Sequence, residues 1–291
     1  MAITQAPSSV PRGPVTAQLN FSNPPPDGAK AFNYVDKVPE GKPKQNLTLD
    51  PRPVLITDIR GRESEFTLDK DAFQVLSGVP ASAEESAPGS NFTDDASIVA
   101  RYYPEVEKLL LDNIPGSNRI FFFDHTVRRA DPNAYRTAVM QVHIDQTAYS
   151  AELRVKRHMG DEADALLKGR YRIVNVWRPL NKNPVESMPL AFASSSSLQQ
   201  QDIIPVEHHT PWRYTGQTAA IAYNPSQRWY YLSGITGSER LLLECFDSEA
   251  LKEGSSVAGG RVPHSAFEDP RTRADAEGRE SIEVRALVFG P

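Results

Sequence analysis

Apolar and polar residues alternate in short runs over most of the second half of the chain. The runs are rich in Val, Ile, Leu, Phe and Tyr, and Pro, Gly, Asn or Asp separates them, which predicts short β-strands joined by turns. The predicted strands span residues 118–129, 135–145, 169–180, 218–223, 228–235, 240–247 and 281–289. Many strands at this spacing indicate a barrel or sandwich.

Two segments have a helical period instead. Apolar residues recur every three or four positions over residues 98–114, and residues 93–95 offer a cap, so we expect an amphipathic helix that Pro104 bends or splits. A second helix is expected over residues 150–169. The whole pattern predicts a mainly β fold with flanking helices.

Prolines set the first part of the chain apart. Ten of the 24 prolines lie within residues 1–53, among Ser, Gly, Gln and Asn. We therefore expect residues 1–52 to form a Pro-rich, extended N-terminal arm and residues 53–291 to form a single domain, opened by a hairpin of residues 53–61 and 65–76. An arm of this kind can cross to a partner subunit, so a homodimer is among the expectations.

Composition excludes several classes of protein. A chain of 291 residues with 39% hydrophobic residues can bury a core, and a net charge of -5 without a Lys/Arg-rich run argues against nucleic acid. One cysteine excludes a disulfide framework and an all-cysteine metal site. Neither a secretory leader nor an apolar stretch of the ~18 residues that a membrane span needs is visible. We predict a cytoplasmic protein with no nucleic-acid or membrane partner.

The motif His143-x-Asp145 carries the strongest chemical signal. Residues two apart in a strand point to the same face, so this imidazole and this carboxylate converge. They suit two ligands of a 2-His-1-carboxylate triad, which binds Fe(II) and leaves other positions open. His264 is the candidate third ligand, because a barrel brings distant strands together. The adjacent His208 and His209 are rivals, of which only one could point at a metal.

A cation and a hydroxyl group follow on the last predicted strand. Arg279 and Ser281 share a face by the same period of two, and such a pair suits the distal carboxylate of a keto acid that chelates iron at its other end. Arg271 and Arg273 are alternatives in a loop. Arg285 lies on the face of Arg279, either as a second cation of the site or in an internal ion pair.

Further residues are candidates for contact with substrate. Arg178 lies on a strand expected to be buried, and a buried guanidinium needs a partner, which is the substrate, the keto acid or an internal acid such as Asp247. Asn175 lies one strand period from Trp177. The candidates for substrate binding are Arg178, Trp177, Asn175, Tyr149 and Arg285.

The order His-x-Asp, distal His and Arg-x-Ser resembles that of the Fe(II)/2-oxoglutarate-dependent oxygenases with a double-stranded β-helix (jelly-roll, cupin-like) core. The strings DIRGRESEFTLDKDAFQ, FFFDHTVRR, QVHIDQT, NVWRPL and RESIEVRALVF look like the fungal branch of aspergillic-acid-type hydroxylases/desaturases, over about residues 54–289. One departure is Ala274, which stands where many members of this fold carry the anchoring arginine. Arg279 is preferred here because it begins a strand beside Ser281.

The resemblance implies an oxidoreductase that uses iron, O2 and 2-oxoglutarate. Hydroxylation, desaturation or a related oxidation of a C–H bond in a small-molecule intermediate of fungal secondary metabolism is expected, with succinate and CO2 as by-products. Three alternatives are an iron enzyme of the same fold that does not use 2-oxoglutarate, a non-catalytic jelly-roll binding module and a zinc hydrolase. The last lacks a His-Glu-x-x-His motif.

Overall fold

Fourteen strands and a few short helices make up the computed structural model, which describes residues 10–35, 37–130, 138–210 and 216–290. The strands are β1 (Val15–Asn23), β2 (Ala31–Tyr34), β3 (Thr48–Asp58), β4 (Phe73–Leu76), β5 (Arg119–Arg128), β6 (His143–Ile144), β7 (Tyr171–Pro179), β8 (Leu190–Ala193), β9 (Ile203–His209), β10 (Gly216–Ile221), β11 (Trp229–Tyr231), β12 (Arg240–Asp247), β13 (His264–Ala266) and β14 (Ser281–Phe289). The α-helices are α1 (Leu68–Asp71), α2 (Asp95–Ser97), α3 (Tyr103–Asn113), α4 (Ala148–Met159) and α5 (Ala163–Leu166).

The strands form two sheets with the main core between them. One sheet has nine strands in the order β1-β3-β11-β8-β13-β6-β10-β9-β2, and the other has five in the order β4-β12-β7-β14-β5. Phe192 and Trp229 of the first sheet belong to the same buried cluster as Phe73 and Leu243 of the second. The prediction of a mainly β fold with flanking helices is confirmed.

The N-terminal segment is a strand of the large sheet, which differs from the predicted extended arm. β1 pairs antiparallel with β3 over its whole length, from Val15 opposite Ile56 to Asn23 opposite Thr48. Alternate side chains of β1 are buried, because a period of two sends every second residue into the core. β3 also crosses the expected boundary after residue 52. Residues 1–9 and 36 of the predicted arm lie outside the described residues.

Residues 53–61 and 65–76 do not form the predicted hairpin. β3 belongs to the nine-stranded sheet, whereas residues 65–76 contain α1 and β4, and β4 pairs with β12 of the five-stranded sheet. Ala72 ends α1 in the left-handed conformation with φ 65° and so turns the chain into β4. The chain therefore passes from one sheet to the other at this point.

A long helical segment covers the outer face of the five-stranded sheet. α2, a π turn (Ile98–Tyr102) and α3 follow one another without a break, and the Asp94 carboxylate caps the start by accepting from the Ser97 N–H at 2.9 Å. Pro104 lies in the first turn of α3, directly after the π turn, and the helical segment is not split at this residue. The buried side chains of this helical segment are Ile98, Tyr102, Val106, Leu110 and Ile114.

The second predicted helix is present as α4 and α5, joined by a 3-10 turn (Gly160–Glu162).

Of the predicted strand 135–145, only β6 is a strand among the described residues, and residues 135–137 lie outside them. β2, β8, β9 and β13 were likewise not predicted. His208 and His209 lie at the end of β9. No helix within the described ranges is long and apolar enough to cross a membrane.

Candidate active site

Three candidate ligands converge between the two sheets. His143 of β6 and His264 of β13 are direct cross-strand partners, and their ring centroids lie 4.4 Å apart. Asp145 follows His143 by two residues, and its Oδ1 lies 3.3 Å from His143 Nε2. One ligand atom from each residue lies within 4.8 Å of the others. The three side chains can therefore hold a single metal ion.

Both histidines are held in the tautomer that a metal site needs. Nδ1 of His143 lies 2.8 Å from the Gln141 carbonyl oxygen, and Nδ1 of His264 lies 3.1 Å from that of Val262. A carbonyl only accepts, so each Nδ1 carries a proton, and in the neutral form of each ring Nε2 keeps a lone pair. Two nitrogen donors and one carboxylate oxygen fit Fe(II), with room for further ligands.

The N-terminal strand fixes the backbone that orients His143. The Val142 N–H donates to the Asn20 carbonyl at 2.9 Å, and the Asn20 side chain donates to the Met140 carbonyl at 3.0 Å. Nε2 of Gln141 donates to the Ser22 hydroxyl at 2.8 Å. β1 therefore fixes the position of residues 140–142, which directly precede His143. Gln141, one of these residues, provides the carbonyl that sets the tautomer of His143.

Burial and neighbouring charges shift the pKa of each of the three groups. Burial alone would raise the pKa of Asp145, but the charge of Arg285 and the hydrogen bond with His143 hold it well below its usual range. Burial also favours neutral His143, yet the bond with Asp145 raises its pKa above the ordinary value. Burial, and then the charge of His143, lowers the pKa of His264 to about 4. His264 is thus neutral at pH 7 and Asp145 is ionised.

The triad lines a cavity of about 120 Å³ together with a mixed set of side chains. Trp177, Leu190 and Val139 supply apolar wall, while charged groups lie around the ligands. The other lining residues are Arg128, Ser265, Ala266, Arg279, Glu283 and Arg285. The cavity can therefore take a small, charged organic molecule beside the metal ligands.

Arg279 is a buried cation in the wall of this cavity. Its Nη1 donates to the Met188 carbonyl at 2.7 Å, and its guanidinium lies 5.7 Å from the Trp177 ring centroid. Its Nε is buried and has no hydrogen-bond partner among the described residues. Burial, and then the charge of Arg128, lowers the pKa of Arg279 to about 10, so it stays cationic at pH 7. Ser281 is buried two residues further on, at the start of β14.

The alternative arginines in the loop have acidic partners. Arg271 forms hydrogen bonds with the Asp269 carboxylate at 2.7 and 2.9 Å, and Arg273 contacts Glu186 at 3.0 Å. Neither lines the cavity of the triad. Arg279 is therefore the better placed of the three to meet a bound anion.

Asn175, Trp177 and Arg285 lie at the site, as the strand period suggested. Trp177 and Arg285 line the cavity. Asn175 lies behind the triad, where its amide donates to Asp145 Oδ2 at 2.7 Å, and Arg285 Nε donates to the same oxygen at 3.0 Å. These two side chains thus contact a candidate ligand directly.

Arg178 and Tyr149 are not brought to the triad. Arg178 points to the other face of β7, where its Nη2 lies 2.5 Å from Glu85 and its guanidinium 5.3 Å from the Phe92 ring centroid. It lines a separate cavity of about 440 Å³. Tyr149 is 57% exposed at the start of α4. Nε2 of His208 lies 2.8 Å from the Thr218 hydroxyl, and His208 is not part of the triad.

Two charged residues of the cavity were not anticipated. Glu283 lies on the same face of β14 as Ser281 and Arg285, so the period of two could have found it. Arg128 ends β5 opposite Ser281, and this register is not readable from the sequence. Burial raises the pKa of Glu283, against the opposing charge of Arg285.

Known proteins resemble the chain over almost all of its length. A family model described as an oxidoreductase/YMDC permease-like domain matches residues 19–289. The hydroxylase/desaturase poxK of Penicillium oxalicum is 39% identical over 96% of this chain and 92% of its own. The hydroxylase/desaturase efuI of Hormonema carpetanum is 32% identical over 94% and 95%.

A solved structure shows the same fold. The iron and alpha-ketoglutarate-dependent endoperoxidase NvfI matches with a TM-score of 0.84 and 26% identity, over 96% of this chain and 99% of that chain. The predicted jelly-roll core is thereby confirmed.

Proposed function

The chain belongs to the fungal hydroxylase/desaturase family of Fe(II)/2-oxoglutarate-dependent dioxygenases, and on this premise we propose a division of roles among its residues. His143, Asp145 and His264 are the iron ligands. Arg279, with Ser281 beside it, binds the distal carboxylate of 2-oxoglutarate. The enzyme oxidises a C–H bond of a small organic substrate, by hydroxylation, desaturation or a related reaction.

The observation that carries this proposal is the convergence of two Nε2 lone pairs and one ionised carboxylate oxygen at the cavity wall. Each Nδ1 donates a hydrogen bond to a backbone carbonyl, so neither imidazole ring has to rotate to bind a metal. When bound, iron with 2-oxoglutarate and O2 supplies the oxidising chemistry. The chain itself binds, orients and shields the reactants.

Arg279 has the properties that a carboxylate receptor needs. It is buried, cationic and held in place by the Met188 carbonyl and the Trp177 ring, and its Nε has a hydrogen to donate. A guanidinium fixed before the ligand arrives loses little further freedom on binding. The apolar side chains of Trp177, Leu190 and Val139 line the same cavity.

Partners and location follow from the same proposal. The reactants are a small molecule and O2, and the negative net charge of -5 disfavours nucleic acid. We propose a cytoplasmic enzyme. A homodimer stays a prediction, although β1, which belongs to the predicted arm, pairs within its own chain. Light scattering of the purified protein would measure the oligomeric state.

Succinate formation by Fe(II)-loaded protein tests the proposal. In the presence of O2, we expect Arg279→Met to raise the 2-oxoglutarate concentration at half-maximal rate by about 10- to 100-fold, because a charged hydrogen bond contributes ~1.5–3 kcal/mol. Arg273→Met removes an arginine outside the cavity and is the matched control. If the two variants reached half-maximal rate at the same 2-oxoglutarate concentration, a group other than Arg279 would bind the distal carboxylate. Absence of 2-oxoglutarate-dependent succinate in the wild type would overturn the proposal.

A further inference from the structure

One carboxylate oxygen of Asp145, Oδ2, accepts hydrogen bonds from two side chains of the protein. Its Oδ1 faces His143 Nε2 at 3.3 Å, on the side of the triad. Its Oδ2 accepts from the Asn175 amide at 2.7 Å and from Arg285 Nε at 3.0 Å. Both donors therefore bind the oxygen that does not face the histidines.

The register of two strands brings these donors together. Asn175 of β7 and Arg285 of β14 are direct cross-strand partners in the antiparallel pair. Their side chains leave the sheet on the same face, side by side. Asp145 directly follows β6 of the opposite sheet, so the five-stranded sheet supplies both donors that support this carboxylate.

Neither donor is free to turn away. Arg285 Nη1 donates to Asp124 at 3.1 Å and to the Thr126 hydroxyl at 3.0 Å, and its Nη2 forms an ion pair with Glu283. Asn175 is fully buried, and its Oδ1 has no hydrogen-bond partner among the described residues. Rotation of this amide would bring its oxygen against Asp145 Oδ2, which is repulsive.

We propose that Asn175 and Arg285 are positioning residues that restrict Asp145 to a single ligand atom, Oδ1. The inference rests on the proposed function, because it assumes that Asp145 is a metal ligand. A carboxylate with both oxygens free can bind a metal through both and occupy one more position. Two donors on Oδ2 prevent this and leave that position for 2-oxoglutarate or O2.

Metal affinity measured without turnover tests this role. Mn2+ binding, followed by the signal of free Mn2+ in electron paramagnetic resonance, should weaken by about 10- to 100-fold in Asn175→Leu and in Arg285→Met, as is typical when support for a ligand is lost. Arg285→Lys keeps a charge and one donor and should recover part of the affinity. Arg172→Met is the control, since Arg172 is a buried guanidinium on the other face of β7, where it lies near Glu244 and Asp247 and not near Asp145.

A second measurement separates positioning from a general loss of stability. The visible absorption of bound Co2+ depends on the number and arrangement of its ligand atoms. We expect altered spectra in Asn175→Leu and Arg285→Met, whereas the spectrum of Arg172→Met should superpose on that of the wild type. Two substitutions at separate positions keep the test decisive if one variant does not fold.

The outcomes distinguish this inference from the proposed function. If wild-type protein binds neither Mn2+ nor Co2+, the proposed metal site is wrong. If the wild type binds and both variants match it in affinity and spectrum, the metal site stands and the positioning role is overturned.

Discussion

His143 and His264 face each other across neighbouring antiparallel strands, which brings their rings to 4.4 Å. Loss of either ring would leave Asp145 with one imidazole. We expect His143→Ala and His264→Ala each to weaken Mn2+ affinity by about 100-fold or more, since even residues that only support a ligand contribute about 10- to 100-fold.

His208→Ala is the control for these two variants. His208 lies in the same sheet, but its Nε2 lies 2.8 Å from the Thr218 hydroxyl. Its removal should leave Mn2+ affinity within a factor of two of wild type, a margin of about 0.4 kcal/mol. A loss as large as that in the His264 variant would instead place His208 among the ligands.

Metal binding should release a proton from His143 at pH values below the raised pKa of this ring. His264 is already neutral, because burial lowers its pKa to about 4, and Asp145 is already ionised. Burial favours neutral His143, but Asp145 raises its pKa above 6.5, so a proton competes with the metal at this ring. Affinity should rise as the pH increases through this pKa and fall below it.

Titration calorimetry in buffers of different ionisation enthalpy counts these protons. A release of two protons would contradict the neutral state of His264 in the metal-free protein.

Phe21 should be as important to stability as a residue of the central strands. It is fully buried in β1 and lies against Tyr223 and Trp229, with ring centroids at 5.3 and 5.8 Å. We expect Phe21→Ala to lower the free energy of unfolding by about 3–5 kcal/mol in urea denaturation. Leu55→Ala, at a position that is 62% exposed, should change it by less than about 0.5 kcal/mol. Equal effects would mean that β1 does not contribute to the core.

Glu84 should stabilise the loop ahead of the long helical segment through its charge. The carboxylate is fully buried and accepts from the Ser97 hydroxyl at 2.6 Å, from the Phe92 N–H at 3.1 Å and from Ser90. Burial alone would raise its pKa, but these hydrogen bonds lower it below 4.5. A depressed pKa stabilises the fold above 4.5, and this stabilisation is lost as the pH falls through the folded-state value.

Glu84→Gln keeps the shape and removes the charge. We expect it to lower the free energy of unfolding by about 1–3 kcal/mol at neutral pH and by less in acid. The same loss at both pH values would mean that the charge contributes nothing.

Local periodicity predicted much of the fold, and its failures have a physical origin. Val15, Ala17, Leu19 and Phe21 alternate with polar residues, so β1 was readable in principle, but the surrounding prolines outweighed this pattern. The hairpin failed for another reason. β3 and β4 both have strand character, and only their long-range partners, β1 and β12, determine that they lie in different sheets.

The site shows the same limit. Period two placed His143 beside Asp145, and Asn175 on the face of Trp177, because these relations are local. Periodicity alone does not indicate which face of β7 is directed towards the triad, since this strand is buried on both sides. Arg178 was therefore as plausible as Asn175 until the register with β14 was known.

β14 lies between β5 and β7 in space, although it follows every other strand in the sequence. During synthesis on the ribosome, β5 and β7 therefore leave the exit tunnel long before the strand that joins them. The support for Asp145 cannot exist in a nascent chain that has not reached Arg285. The proposed restriction of Asp145 to one ligand atom would therefore become possible only after Arg285 has been synthesised.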